Sequence, residues 1–407
     1  MSFFIIALLL VLPLSSVLAT VLPPRQHGFH HHNVQQRLPS AWYHEPDNPV
    51  HRLFRRGPAD YAPVGSPEWS SGFQRAVYDP SSMPKEWKDA LDDALKAGKI
   101  PDIPPSNNTP GTNPVYPPGV NPNSDRVCSA TYQCRHEDDI WDAPPGVFGI
   151  GFDDGPQPFT PKLAKFLESK NLTTTHFLIG TNILYYPNEF RLLFDRGDDF
   201  AVHTWTHPYM TTLSNLRIVA ELGWTMLLIH NSTGGFLPKY WRPPYGDADN
   251  RVRAIAKEVF GLTTIMWNQD ARDWSLVTGG TTTAIIHKSM QSWTSGESCV
   301  CGLLKSQAEI KLAGPKSPGL IVLEHETSED AVNSFIDAYP MIVNNGWNIM
   351  SVTRFANESA YQDPATAAAS SAGSLMDSSG PLTTTVDITT QASDDSINDV
   401  TQQPAEV

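Results

Sequence analysis

Residues 147–180 read VFGIGFDDGPQPFTPKLAKFLESKNLTTTHFLIG. An apolar run, Val147–Phe152, stops at Asp153-Asp154-Gly155-Pro156; an amphipathic stretch, Pro161–Ser169, follows; a second run, Thr174–Ile179, closes the unit. Short apolar runs bounded by turn residues predict strands, and the longer stretch between them predicts a helix. Strand, helix and strand in succession imply parallel strands, in an open sheet or a barrel. The alternation continues, with strands predicted at Phe200–His203, Tyr240–Arg242, Thr263–Trp267, Leu320–His325 and Asn348–Val352. Helices are predicted at Asn215–His230, Asn250–Phe260, Thr282–Ser292 and Asp330–Val343. Seven strand units in about 210 residues suit an α/β chain that forms a (β/α) barrel.

In such folds chemistry collects at the carboxyl ends of the strands. The first strand ends in Asp153-Asp154, the third in His203-Thr204-Trp205-Thr206-His207, the fourth in Arg242-Pro243-Pro244-Tyr245-Gly246. The fifth leads into Asp270-Ala271-Arg272-Asp273-Trp274, and the sixth ends in Leu323-Glu324-His325. One polar strand end would be surface decoration, but charged or imidazole groups at five of them point to a site. His203 and His207 are four apart, a spacing that would put both on one face of a helical turn. Two His and a carboxylate form the ligand set of a catalytic zinc that keeps a position open for water. The Asp pair can divide the work, one carboxylate binding metal and its neighbour acting as base. Gly149-Ile150-Gly151 is not a nucleotide loop, because Asp154 stands where the third glycine belongs and no Lys-Ser/Thr follows.

The motifs FDDGP, HTWTH, RPPYG, DARDW and LEH, in that order, resemble those of the polysaccharide deacetylases (NodB homology, carbohydrate esterase family four), and most of all secreted fungal chitin deacetylases. The resemblance covers 146 to about 355 and implies a distorted, incomplete (β/α) barrel with a divalent metal, usually zinc and sometimes cobalt. It implies Asp154, His203 and His207 as metal ligands, Asp153 as general base, and Arg242 as the residue that orients Asp153 and holds it ionised. It implies an oxyanion contact from the Tyr245 N–H, His325 as general acid oriented by Asp273, and Trp274 and Leu323 around the acetyl methyl. Gly151 replaces a threonine common in the first motif, at a position that is not a ligand. On a strand, Glu324 and Glu326 would point away from His325, and neither is assigned a role.

The rest of the 407-residue chain frames this domain. With 29 basic and 43 acidic residues the formal charge is −14, which argues against a nucleic-acid partner. Apolar residues make up 40% and charged residues 18%, enough for a core and too few apolar for a membrane protein. Residues 1–19 read as a signal peptide: Phe3–Leu12 is apolar, too short to span a bilayer, and Ala19 offers a cleavage point. Residues 20–145 hold most of the prolines and read as irregular, with a His-rich tract at His27 and His30–His32 and a possible pro-segment ending at Arg55-Arg56. One helix is expected there, within Ser81–Ala97, with Ser82 as cap, Pro84 in the first turn and Trp87, Leu91 and Leu95 on one face. Residues 357–407, with 15 Ser/Thr, eight acids and no Lys or Arg, are expected to be a disordered tail with no anchor signal at its end.

Secretion agrees with four Asn-x-Ser/Thr sites, Asn107, Asn171, Asn231 and Asn357, and with four cysteines. Adjacent-but-one Cys299 and Cys301 would strain a bridge, so Cys128 and Cys134 are expected to pair with them, in either order. A zinc site from the four would need unusual spacings. The expected function is metal-dependent removal of acetyl groups from chitin or another N-acetylglucosamine polymer by a secreted or wall-associated monomer without a transmembrane segment. The alternatives are an acetylxylan-type esterase using the same residues, and a wall-polysaccharide-binding protein on the same scaffold without activity.

Overall fold

The computed structural model describes residues 49–54, 61–109, 111–296, 316–355 and 359–362. The leader, the His-rich tract, Arg55-Arg56, Cys299, Cys301, Asn357 and the tail from 363 onward lie outside them. The elements run α1 (Pro49–Leu53), α2 (Pro67–Ser70), α3 (Lys85–Lys96), β1 (Val147–Gly155), α4 (Thr160–Ser169), β2 (Thr175–Leu178), α5 (Gly180–Tyr185), α6 (Pro187–Arg196) and β3 (Asp199–Val202). They continue with α7 (Asn215–Ser232), β4 (Tyr240–Trp241), α8 (Asn250–Phe260), β5 (Thr263–Thr264), β6 (Gln269–Asp270), α9 (Thr283–Ser295), β7 (Leu320–His325), α10 (Glu329–Asn344) and β8 (Asn348–Ser351).

The strands form one parallel sheet in the order β5-β4-β3-β2-β1-β7-β6, with β8 also on β1. One edge of β1 is shared: β8 pairs with Val147–Ile150 and β2 with the part from Gly151 upward, while β7 takes the other edge. With helices around it, this is an incomplete barrel, as expected. The helices start where the sequence supplies caps: Ser214 accepts from Arg217 N, Asp249 from Val252 N and Ser328 from Ala331 N. Left-handed Gly197, Gly261 and Gly296 end α6, α8 and α9. Phe148, Ile150 and Phe152 of β1 pack with Leu320 and Val322 against α4, α9 and α10, whereas Val147, Phe177, Ala201, Ile265 and Ile321 form a smaller inner cluster.

Of the strand expected at Thr263–Trp267 only Thr263–Thr264 joins as a strand, and a second short strand, Gln269–Asp270, follows it; Ile265 leaves the pattern to bridge with Ile140. Helices α5 and α6 had no sequence prediction. The N-terminal helix starts at Lys85, not at Ser82. Pro80–Ser82 form a separate 3-10 turn capped by Asp79, and the Ser82 hydroxyl donates to Asp79 O. Ala94, not Leu95, joins Trp87 and Leu91 in the buried stripe; Leu95 is 41% exposed.

The region before β1 is part of the core. Val50, Phe54, Tyr78, Trp87 and Leu91 share one cluster with Trp224 of α7 and Phe260 of α8. Tyr78 stacks on Trp224 with ring centroids 4.1 Å apart, and Trp87 meets Trp224 and Phe260 edge-on. At Gly223 a Cβ would lie 2.6 Å from the Trp87 ring, so glycine is what lets the indole approach α7 this closely.

Candidate active site

The carboxyl end of β1 carries the two carboxylates. In a regular strand neighbours point to opposite faces, yet both reach one imidazole: His203 Nε2 lies 3.8 Å from Asp153 Oδ2 and 3.2 Å from Asp154 Oδ1. The pairing of β1 with β2 slips between Asp153 and Gly155, and Asp154 takes a left-handed φ of 69°. This bulge turns the second carboxylate toward the first. Two amides hold it: Gln157 Nε2 and Asn182 Nδ2 donate to Asp154 O at 3.2 and 2.8 Å.

His203 stands just past β3, and His207 follows across a loop that is not a helical turn, because Thr204 and His207 are left-handed. The expectation of a shared helical face is therefore corrected. The rings nevertheless meet, with centroids 5.0 Å apart. His207 Nε2 is also 3.2 Å from Asp154 Oδ1. One ligand atom from each of the three residues lies within 4.8 Å of the others.

Hydrogen-bond accounting shows what would fit between them. His203 Nδ1 lies 2.7 Å from Arg242 O, a carbonyl that can only accept, so that nitrogen donates. In the neutral ring Nε2 is then a bare lone pair facing Asp154 Oδ1, which is buried and takes no hydrogen bond. Burial pushes the His207 imidazole down to about 4, with His203 and His325 adding to it and Asp154 opposing. Burial works against the Asp154 carboxylate too, but the imidazoles of His207, His203 and His325 hold it below its usual range. One carboxylate and two imidazoles aimed at a common point suit a divalent cation with an open position.

Asp153, 2% exposed, is gripped from behind. Arg242 Nη1 donates to Asp153 Oδ1 at 2.6 Å, while its Nε and Nη2 donate to Ile265 O and Met266 O. The guanidinium lies 3.9 Å from the Phe177 ring centroid. Opposite, in register with Asp153, is His325 at the end of β7. Its Nδ1 is 2.7 Å from Asp273 Oδ1. Burial favours the neutral ring, but Asp273 outweighs it and lifts the imidazole to about 10. Tyr245 follows β4 with φ 58°; its ring, 44% exposed, stacks on Tyr209 and meets His207 edge-on. Leu323 is buried on β7, and half-buried Trp274 adjoins Asp273.

Some contributors had no sequence signal. Glu326, set aside as pointing away, is fully buried; it bonds His176 Nδ1 at 2.7 Å and the Thr160 hydroxyl, and its N–H donates to Asp153 O. Glu324 is buried, and burial with Asp273 nearby pushes its carboxyl well above the usual range. Outside the site, Asn107 and Asn171 are exposed, and Asn231 is half-buried in the last turn of α7. The expected cross-pairing of cysteines is wrong: Cys128 bonds Cys134, their Cα atoms 5.0 Å apart. The 3-10 turn Ala130–Tyr132 and left-handed Gln133 reverse the chain between them, so the two are neighbours without help from Cys299 or Cys301.

The sequence profile described as polysaccharide deacetylase matches residues 142–265. Chitin deacetylase 3 of Cryptococcus neoformans var. neoformans is 38% identical over 321 residues, 77% of this chain and 72% of that protein. Chitin deacetylase 1 of Cryptococcus neoformans var. grubii is 35% identical over 65% of this chain and 54% of its own length. Chitin deacetylase 1 of Saccharomyces cerevisiae is 42% identical over 40% of this chain and 52% of its own length. Five motifs gathered at the strand ends of an incomplete barrel, and a relative aligned over most of both chains, place this chain in the polysaccharide deacetylase family.

Proposed function

We propose that the chain hydrolyses the N-acetyl groups of chitin, giving chitosan and acetate, with a divalent ion, zinc or cobalt, held by Asp154, His203 and His207. The observation that carries the reading is the pair of adjacent carboxylates with different partners, Asp154 on two imidazole nitrogens and Asp153 on Arg242. The relatives named chitin deacetylases favour chitin as the polymer. A divalent ion there supplies Lewis acidity, polarising the acetyl carbonyl and lowering the pKa of a water. Asp153 accepts the proton of the attacking water, and Arg242 keeps it aimed. The Tyr245 N–H donates to the carbonyl oxygen as negative charge builds. His325, held by Asp273, gives a proton to the nitrogen, because an amine leaves poorly without one. Trp274 and Leu323 bound the space for the acetyl methyl. Acetate release from chitin oligomers, lost to a chelator and restored by zinc, is the expected result; release that ignores the chelator, or binding without release, overturns it.

The apolar run Phe3–Leu12 and the four sequons support a secreted, N-glycosylated protein. Sequencing the N-terminus of the secreted protein should find a start near Thr20, or near Gly57 if Arg55-Arg56 is cut. Glycosidase treatment should raise its gel mobility.

A further inference from the structure

The loop from His203 to His207 is buried through Trp205, so its main-chain groups need partners inside the protein. His203 N donates to Leu178 O, and His207 N to Thr204 Oγ1. The carbonyls of Thr204 and Trp205 accept from Gly180 N and Thr181 N, in the first turn of α5. The N–H groups of Trp205 and Thr206 converge on one atom: Glu221 Oε2, 2.8 Å from each. The other oxygen, Oε1, accepts from the Thr206 hydroxyl at 2.8 Å.

Glu221 belongs to α7, is 2% exposed, and stands fourteen residues beyond His207. Taking three donors on two oxygens suits a carboxylate, which only accepts. Left-handed Thr204 and His207 cost the loop energy, and helix geometry, which the His spacing invites, would carry the rings elsewhere. What stands against that relaxation is the grip on both sides, the α5 amides on the carbonyls and Glu221 on the N–H groups.

We propose that Glu221 is a positioning residue for the His203–His207 pair, setting the spacing of the two imidazoles before any ion arrives. The inference rests on the reading of Asp154, His203 and His207 as a metal site. It assigns Glu221 no contact with substrate or ion.

The test is zinc affinity of the full chain, measured by competition with a chromophoric chelator, and the visible absorption of the cobalt-loaded protein, which reports ligand geometry. Glu221→Gln keeps size and loses charge; Glu221→Leu removes all three acceptor contacts; Thr206→Val removes the hydroxyl bond alone. Zinc affinity should fall about 10-fold for Glu221→Gln and up to about 100-fold for Glu221→Leu, the range on removing groups that orient metal ligands. The cobalt spectrum should change in both, and Thr206→Val should fall between wild type and Glu221→Gln. If Glu221→Leu does not fold, the other two variants decide. Unchanged zinc affinity and cobalt spectra alongside a lower melting temperature would make Glu221 a stability residue only and overturn the proposal. A wild-type chain that takes up no zinc or cobalt would instead overturn the metal reading beneath it.

Discussion

Asp273 holds His325 at two points, its Oδ1 2.7 Å from the ring Nδ1 and its Oδ2 2.7 Å from the main-chain nitrogen of the same residue. One carboxylate thereby fixes the position and the charge of the ring. Burial alone would favour the neutral form, and Asp273 reverses that, with the imidazole raised to about 10. An acid must be protonated to act, so the raised value keeps it competent through neutral and mildly alkaline pH. Asp273→Asn should move the alkaline limb of the pH–rate profile to lower pH, and His325→Ala should cut turnover on the order of 10²–10⁴-fold. Acetate release followed from pH 5 to 10 measures both. An alkaline limb that stays in place in Asp273→Asn would take His325 out of the acid's role.

The adjacent carboxylates should fail differently. Asp154→Asn should lose zinc, because a neutral amide is a poor replacement for a ligating carboxylate. Asp153→Asn should keep zinc and lose turnover by about 10²–10⁴-fold, with KM changed far less. Metal analysis and kinetics on the purified variants separate the two. Zinc loss in Asp153→Asn would reverse the assignment.

Arg242 is fully buried, and its three nitrogens donate to Asp153, Ile265 O and Met266 O. Arg242→Met leaves a buried carboxylate unpaired and should lower stability by about 3–5 kcal/mol. Arg242→Lys keeps a charge but cannot reach all three acceptors, so its loss should be smaller. Urea unfolding at neutral pH gives both values. Equal stabilities for the two variants would mean that packing, not the ion pair, sets the cost.

His176 has no exposed surface and sits between Glu326 and Asp198. Burial disfavours its charge, but Glu326 and Asp198 prevail and raise it to about 9. The folded value exceeds the unfolded one, so the stabilisation is complete below about pH 6.5 and fades as pH rises through about 9. The shift corresponds to about 3 kcal/mol. His176→Gln should flatten the stability curve between pH 6.5 and 9.5, read from urea midpoints. A slope unchanged by the substitution would assign that pH dependence to other groups.

The parallel sheet and its reactive end were legible because both rest on local pattern. Val147–Phe152 and Leu320–His325 are apolar runs stopped by polar residues, and the sheet pairs them side by side. The path between His203 and His207 was not legible, since a four-residue spacing favours a helix until Glu221 and α5 claim the loop's backbone. Glu326 was set aside and Asn182 passed over for a related reason: their partners are 150 and 28 residues away. The Cys128–Cys134 bridge depends on a left-handed Gln133, a conformation that residue type does not announce.

The aromatic seam joining Phe54, Tyr78 and Trp87 to Trp224 and Phe260 separates two boundaries that are easily equated. The family profile begins to match at residue 142, but the polypeptide cannot be cut there without cost. A recombinant fragment starting at that point would present Trp224 and Phe260 to water, together with the groove in α7 that Gly223 leaves for Trp87. Such a piece would carry every motif of the reaction and a fresh sticky face, favouring inclusion bodies over soluble enzyme. Expression plasmids should therefore keep the chain from upstream of Val50, whose side chain is already part of that seam's cluster.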